Sequence, residues 1–202
     1  MLRLGITGGI ASGKSVVARM LRDLGFQVID ADTLSHQLME PGQPAFNEIV
    51  TVFGTGILGA TGNIDRAKLG AVVFADPAKL AQLNAILHPR VETEIAQRFA
   101  QFERDGVRDA AFVEAALLVE AGYQKHLSGL LVAWCAPDQQ LERLRARGLN
   151  ENEARKRITS QMSVAQKLTY ATEKIDCSGT LAETQAQVEK LAAKLRKTAG
   201  PE

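Results

Sequence analysis

The segment that most constrains the fold lies at residues 8–15, where the sequence reads GGIASGKS and fits the pattern G-x-x-x-x-G-K-[S/T]. An apolar run, LRLGIT, precedes it at residues 2–7, and apolar residues at helical spacing follow it at residues 17–24. The pattern needs this strand–loop–helix context, because the loop N–H groups and the helix dipole then face one phosphate group. We therefore predict a nucleotide-binding loop in which Lys14 reaches the β- and γ-phosphates and the Ser15 hydroxyl binds Mg²⁺.

Strand-like and helix-like segments alternate along the chain, and this order predicts an α/β fold. Short, continuous apolar runs are typical of strands that helices cover on both faces. A strand, a helix and a strand in close succession favour a parallel sheet with a right-handed crossover. We predict a P-loop NTPase three-layer sandwich with a central parallel sheet, whose strands lie at residues 2–7, 26–30, 110–120, 129–135 and 173–176.

Two segments depart from the strand pattern and are predicted to be helical. Residues 33–108 carry several stripes of helically spaced apolar residues, which indicates a helical excursion from the sheet. Within it, Asp65 and Asp76 are expected to cap helices, and His88, which a proline follows, is expected to end one. Residues 137–161 are also helical in pattern and are dense in arginine.

Two aspartates follow the second predicted strand, in the sequence VIDAD. Ligands bind beyond the carboxyl ends of the strands in open α/β sheets, so Asp30 and Asp32 are expected to face the region above the phosphate loop. An aspartate there could accept the proton of a substrate hydroxyl or hold Mg²⁺ through water. Alternatively, either residue caps a helix that begins near Thr33, and the residues alone leave both interpretations open.

The arginine-rich segment also has two interpretations. Arginines on a closing lid stabilise the charge that phosphoryl transfer spreads over the phosphate oxygens, and the lid excludes water. A solvated helix face with charge pairs four residues apart is the simpler explanation for any single arginine. With a phosphate loop in the same chain, we interpret the cluster as a lid; its members are Arg143, Arg145, Arg147, Arg155 and Arg157.

Composition excludes several other classes of protein. The net charge of +1 over 202 residues gives no basic field for nucleic acid, and no apolar run approaches the roughly 20 residues of a membrane span. Cys135 and Cys177 have no metal-binding spacing, so we expect free thiols in a reducing compartment. Since the N-terminal segment carries no secretory cleavage pattern, we expect a cytoplasmic protein.

Several motifs in a fixed order make the chain similar to a known family. Over about residues 4–180 it resembles the dephospho-coenzyme A kinase family of P-loop kinases. The motifs that carry the resemblance are ITGGIASGKS at 6–15, VIDAD at 28–32, EPGQPA at 40–45, LHP at 87–89, LLVE at 117–120, Q-x-x-R-x-x-x-R at 140–147, Gln161 and ID-x-x-G at 175–179. The phosphate loop alone is unspecific, whereas the other motifs in this order are highly specific.

The resemblance implies an activity and a division of the chain. It implies ATP-dependent phosphorylation of the ribose 3′-hydroxyl of dephospho-coenzyme A by a phosphotransferase that uses Mg²⁺. The enzyme is expected to be a monomer or weak homo-oligomer without nucleic-acid or membrane partners. A single domain, 1–202, would consist of a core at about 1–32, 109–136 and 173–202, a helical substrate-binding insertion at about 33–108, and a helical lid at about 137–172.

The resemblance also assigns roles to individual residues. Asp32 matches the proposed catalytic base of the family, and Lys14 and Arg143 are the other expected catalytic residues. Contacts to the acceptor are expected from Asp32, His88, Leu117 and Gln161. The nucleotide is expected to bind Gly8, Gly9, Ala11, Ser12, Gly13, Lys14, Ser15, Val16, Arg143 and Arg147, with Ser15 as the metal ligand.

The chain departs from the family pattern at four positions. Ala11 replaces the usual glycine, from which we expect altered loop dynamics with retained phosphate binding. The other departures are Val16 for threonine, Ala116 for proline and Cys177 for asparagine.

Two other activities remain possible for a chain with this phosphate loop. Another small-molecule P-loop kinase is the main rival; a GTPase or ATPase switch is less well supported. Glu120, near the third strand, could lie near the nucleotide, but its apolar run lacks the usual Walker B aspartate.

Overall fold

The computed structural model describes residues 1–198 and forms one five-stranded sheet in which every neighbouring pair of strands is parallel. The strand order is β2-β3-β1-β4-β5. The α/β class and the central parallel sheet are therefore as predicted. The strands are β1 (Leu2–Gly8), β2 (Gln27–Asp30), β3 (Ala110–Glu114), β4 (Gly129–Trp134) and β5 (Glu173–Asp176).

The described part of the chain contains nine α-helices. The structure divides into two compact units, one of residues 31–98 and one of residues 1–30 together with the chain from residue 99 onward. None of the helices within residues 1–198 combines the length and the apolar character that a bilayer crossing requires. The helices are α1 (Lys14–Asp23), α2 (Ala31–Leu38), α3 (Pro44–Phe53), α4 (Arg66–Phe74), α5 (Pro77–Arg104), α6 (Pro137–Ala146), α7 (Glu151–Thr159), α8 (Val164–Leu168) and α9 (Leu181–Thr198).

The first unit is built on the sheet. Its core joins apolar side chains of β1 and β3, such as Ile6 and Phe112, to Val17 of α1 and Leu191 of α9. Because β1, β3 and β4 are parallel, their carboxyl ends lie at one edge of the sheet. Near this edge, Ile6 of β1 pairs with Glu114 of β3 and with Leu131 of β4. The phosphate loop leaves β1 at this edge, as the sequence predicts.

The second unit has an apolar core of its own, which includes Ile49, Leu69, Val73 and Leu87. Its helices begin as the sequence predicts: the Asp65 carboxylate accepts hydrogen bonds from the first turn of α4. The predicted insertion, 33–108, extends beyond this unit, because residues 99–108 group with the sheet. The single-domain scheme itself stays a prediction, and its last residues, 199–202, lie outside the described residues.

The expectation that His88 ends a helix is wrong. Helix α5 continues through Pro89 as one helix of 28 residues, and His88 lies in its interior. Proline removes one N–H donor and displaces the carbonyls of the preceding turn. The Arg90 guanidinium donates a 2.6 Å hydrogen bond to the carbonyl of Ile86, which satisfies one of the carbonyls in that turn.

Two other boundaries differ from the prediction. Strand β3 stops at Glu114, and most of the remaining predicted strand, residues 115–120, forms turns. The helical stretch at 137–161 is broken between α6 and α7, where Gly148 has a positive φ of 89° and Asn150 caps α7. Apolar content alone does not distinguish a strand from a buried turn, which explains the first error.

Candidate active site

The phosphate loop connects β1 directly to α1, and its glycines are sterically required at two positions. A Cβ atom on Gly8 would lie 2.4 Å from the carbonyl oxygen of Ala133 in β4. Gly13 has a φ of 105°, and a Cβ there would lie 2.8 Å from the side chain of Cys177. The lack of a Cβ at these two glycines lets the loop lie close to β4 and to Cys177. Helix α1 then begins at Lys14, with its N-terminus at the loop.

Ala11 has an unusual backbone conformation within this loop. Its φ of 59° is the only positive value at a non-glycine residue among residues 1–198. A side chain in this left-handed region costs about 1–2 kcal/mol. Surrounding contacts hold the conformation, since the Ala11 carbonyl accepts a 3.2 Å hydrogen bond from Arg143 and lies 3.9 Å from the sulfur of Cys135.

Side chains from the predicted lid bind the loop backbone on both sides of Ile10. The Gln140 side-chain amide donates to the Ile10 carbonyl at 2.7 Å, and the Gln161 side-chain oxygen accepts from the Ile10 N–H at 3.0 Å. Arg143 donates to the carbonyls of Ala11, at 3.2 Å, and Cys177, at 2.6 Å. The structure thus brings two predicted site residues, Arg143 and Gln161, to the phosphate loop.

Gln140 also binds the loop, although the sequence analysis assigned it no role beyond its place in the Q-x-x-R-x-x-x-R motif. Its residue is 4% exposed, which is low for a polar side chain and indicates a defined role. A signal was present in the sequence, because Gln140 and Arg143 are three residues apart and therefore share one face of α6.

Glu114 is the functional residue that sequence reasoning missed most clearly. It ends β3, and its buried carboxylate lies 3.3 Å from Nζ of Lys14 and 2.8 Å from a guanidinium nitrogen of Arg22. Two cations around one carboxylate offset the cost of burying its charge. The available signal was an acidic residue at the end of an apolar run, AAFVE, at a strand end where ligands bind.

The carboxylate of Glu120 is bonded to the segment around α8. It accepts a 3.0 Å hydrogen bond from the Met162 N–H and forms a 3.0 Å ion pair with Lys167. The carboxylate at the end of β3, beside Lys14, is that of Glu114.

The two thiols near the loop are free, as predicted, and both are buried. Burial raises the pKa of Cys135, and it raises the pKa of Cys177 to about 11 although the nearby Arg143 opposes the rise. Both thiols are therefore protonated at neutral pH and lack the thiolate that nucleophilic chemistry needs.

The remaining predicted residues lie apart from this network or in the other unit. Asp32 is the second residue of α2, inside its first turn, so it is not the residue in front of the helix that the capping interpretation requires. His88 lies within α5. Leu117 is 49% exposed in the turn that follows β3. Arg147 is exposed at the end of α6, and within residues 1–198 its side chain has no hydrogen bond or ion pair.

Metal binding can be judged from the oxygen donors present. Ser15 is exposed at the second position of α1, next to the loop. Among the described residues there is no group of three or more His, Cys, Asp or Glu side chains that could hold a metal ion. The Ser15 hydroxyl is an oxygen donor of the kind that Mg²⁺ uses when one or two protein oxygens hold it together with nucleotide phosphates.

A lysine-bearing loop between the central strand and a helix, with the side chains of a helical segment bound to its backbone, defines a P-loop kinase. Within that class, the family model of dephospho-CoA kinase matches residues 2–183. The chain belongs to this family.

Individual relatives agree with the family match. A dephospho-CoA kinase of Symbiobacterium thermophilum is 45% identical over 187 residues, which cover 92% of this chain and 78% of that protein. A crystal structure from Thermus thermophilus has a TM-score of 0.82 at 31% identity and covers 96% of this chain and 97% of the other. Dephospho-CoA kinase from Campylobacter jejuni has a TM-score of 0.74 at 26% identity, with 97% and 98% coverage.

Proposed function

We propose that this protein uses ATP to phosphorylate the ribose 3′-hydroxyl of dephospho-coenzyme A, giving coenzyme A. The observation that carries the proposal is the match to the family model across residues 2–183 in a chain whose phosphate loop keeps both Lys14 and Ser15. The rival P-loop kinases share the loop, but the specific motifs outside it favour the larger acceptor.

Lys14 and Arg143 are proposed to stabilise the charge of the transferred phosphoryl group. The Glu114 carboxylate, 3.3 Å from the Lys14 ammonium, holds that side chain at the loop before the nucleotide binds. Preorganised cations of this kind cost no reorganisation during the reaction. Arg143 is held on the carbonyl of Ala11 and so is already fixed beside the loop. Arg147, exposed one turn later, is a further proposed nucleotide contact.

Mg²⁺ is the proposed cofactor beside ATP. The Ser15 hydroxyl would hold the ion, which would supply charge neutralisation at the nucleotide phosphates. The exposed Ser15 hydroxyl at the start of α1 supports this assignment.

Asp32 is the proposed general base. Its carboxylate accepts the proton of the 3′-hydroxyl as the alcohol oxygen bonds to the γ-phosphorus and the bond from that phosphorus to ADP breaks. Its position two residues beyond the end of β2, where ligands bind in open α/β sheets, supports this role.

Acceptor contacts are proposed for His88, Leu117 and Gln161, with the helical segment 33–108 as the acceptor-binding part and 137–172 as the lid. Leu117 is accessible for such a contact. The side-chain oxygen of Gln161 is engaged by the Ile10 N–H, so its amide N–H groups are the part that would bind the acceptor. We further propose a cytoplasmic enzyme that is a monomer or weak homo-oligomer.

The test is to supply the purified chain with ATP, Mg²⁺ and one acceptor at a time. Dephospho-coenzyme A should give ADP and coenzyme A in equal amounts, with the new phosphate on the ribose 3′-oxygen by NMR. Adenosine and shikimate should give little ADP. Phosphate release without an acceptor would instead favour a hydrolytic switch, and faster transfer to shikimate or to a nucleoside would favour another small-molecule kinase.

A further inference from the structure

Lys167 is a buried lysine to which the proposed mechanism assigns no role. This lysine of α8 is completely buried, with 0% exposure. Its ammonium donates to the Ala116 carbonyl at 2.6 Å and to the Gly8 carbonyl at 3.4 Å, and it lies 3.0 Å from the Glu120 carboxylate. The three N–H donors of one ammonium thus meet three acceptors from separate parts of the chain.

The burial of this charge is costly and needs full pairing. Lysine is almost never fully buried unless it is paired, because an ammonium loses its hydration there. Burial lowers the pKa of Lys167, the Glu120 carboxylate opposes that change, and the Lys14 charge adds to it. An apolar side chain of the same volume would avoid that cost but would leave the Gly8 and Ala116 carbonyls and the Glu120 carboxylate without this donor.

The three acceptors lie in segments that the reaction requires. Gly8 begins the phosphate loop, while Ala116 and Glu120 enclose the turn that carries Leu117, an expected acceptor contact. Glu120 also accepts from the Met162 N–H at 3.0 Å. A single ammonium therefore connects the phosphate loop, the turn after β3 and the segment before α8.

The same segment holds the loop at a second point. Gln161, next to Met162, accepts from the Ile10 N–H at 3.0 Å. The residues from 161 to 167 thus bind the loop at Ile10 through Gln161 and at Gly8 through Lys167. These two attachments add to the bonds that Gln140 makes to Ile10 and Arg143 makes to Ala11, and Lys167 supplies the one at the start of the loop.

We propose that Lys167 is a positioning residue for phosphoryl transfer, whose buried ammonium fixes the phosphate loop relative to the turn that bears Leu117. The expected effect of Lys167 on the reaction rate rests on the proposed function. Its expected effect on the order of the phosphate loop does not. Misplacement of reacting groups by about 1 Å can slow an enzyme about 100-fold, so a remote residue of this kind affects kcat. Lys167 acts through the loop and does not touch the reacting atoms.

The experiment compares Lys167→Met, which keeps the length of the side chain and removes its charge, with Lys167→Arg, which keeps the charge. Lys190→Met, the same change at an exposed lysine of α9, is the matched control. We expect Lys167→Met to lower kcat about 10- to 100-fold with a smaller change in the KM for ATP, and Lys167→Arg to recover part of the loss. The control should retain wild-type kinetics.

A double-mutant cycle with Glu120→Gln separates positioning from simple packing. If both residues act through one ion pair, the double variant should lose little more kcat than either single variant, so the effects should not multiply. Multiplying effects, or a folded Lys167→Met variant with kcat within twofold of wild type, would overturn the proposal. If Lys167→Met does not fold, Glu120→Gln with the lysine intact is decisive: it should lower kcat, and an unchanged kcat would overturn the proposal.

Hydrogen–deuterium exchange gives a readout that does not depend on the acceptor. Amides of the phosphate loop, residues 8–13, should exchange at least several-fold faster in Lys167→Met than in wild type or Lys190→Met. Equal exchange in all three would contradict the positioning role, even if the wild-type protein proved inactive with dephospho-coenzyme A. Inactive wild type with faster exchange in Lys167→Met would contradict only the proposed function.

Discussion

The ammonium of Lys14 lies 3.3 Å from the buried carboxylate of Glu114. This ion pair joins the phosphate loop to the end of β3, and Arg22 completes it from α1 at 2.8 Å. Glu114 is therefore an internal counter-ion that orients the lysine without a nucleotide. Burial makes the pair sensitive to loss of either partner, because the remaining charge would be left in a medium of low dielectric constant.

Loss of this pair should affect catalysis and stability differently. Lys14→Ala should lower kcat at least about 100-fold, since a preorganised cation at the transferred phosphate is lost. Glu114→Gln should lower the unfolding free energy by about 3 kcal/mol, because two cations lose their buried partner. Steady-state kinetics and urea unfolding measure the two effects. Wild-type rates for Lys14→Ala would show that another cation holds the phosphates.

Asp32→Asn tests the proposed general base. The variant should bind ATP with unchanged affinity and lose at least about 100-fold in kcat, because the amide cannot accept the hydroxyl proton. Calorimetric titration with a non-hydrolysable ATP analogue checks binding. Asp23→Asn, the same change at an exposed residue of α1, serves as control. An unchanged kcat together with a lower melting temperature would assign Asp32 a structural role in α2.

Ala11→Gly tests the strain in the phosphate loop. Glycine removes the cost of the left-handed conformation, about 1–2 kcal/mol, but loses about 0.4–1 kcal/mol through the greater entropy of the unfolded chain. The variant should therefore be up to about 1.5 kcal/mol more stable. Ala18→Gly, in the buried face of α1, should be about 1 kcal/mol less stable. Urea unfolding distinguishes the opposite signs, and equal destabilisation would show that φ at residue 11 is relaxed in solution.

Cys177 should make stability depend on alkaline pH. Its pKa is raised from 9.0 to about 11 in the folded protein, mainly by burial. Above pH 9 the unfolded chain loses this proton first, so stability is retained below pH 9 and falls as the pH rises towards 11. Cys177→Ala keeps the Cβ atom and removes the titrating group.

The measurement is urea unfolding of wild type and Cys177→Ala at pH 8 and pH 10.5. The difference between the two proteins cancels the titration of tyrosines and lysines. Wild type should lose more stability than the variant over this range. Parallel losses would mean that the thiol ionises at its ordinary pKa in the folded protein.

The parts of the molecule that depend on local sequence were predictable. The phosphate loop and the Asp65 cap use only neighbouring residues, so their patterns identified them. The passage of α5 through Pro89 was not predictable in this way, because a local proline signal favours a helix end, whereas α5 buries Leu87 before the proline and Ile95 after it.

The contacts of Glu114 and Lys167 could not be predicted from the sequence for a second reason, which is that their partners are distant along the chain. Glu114 meets Lys14 across 100 residues of sequence, through the register of β1 and β3. Lys167 meets Gly8 across 159 residues and lies in a five-residue helix without a distinctive pattern. Neither partner can be inferred until the strands are paired, and the roles of Asp32 and His88 stay predictions.

The two peptide groups that flank Ile10 are each bonded to a glutamine, one through its hydrogen and one through its oxygen. A crankshaft rotation of this residue would break both bonds together. Leaving this conformation therefore costs two hydrogen bonds at once, and the Ile10 amide hydrogen should exchange slowly with solvent deuterium.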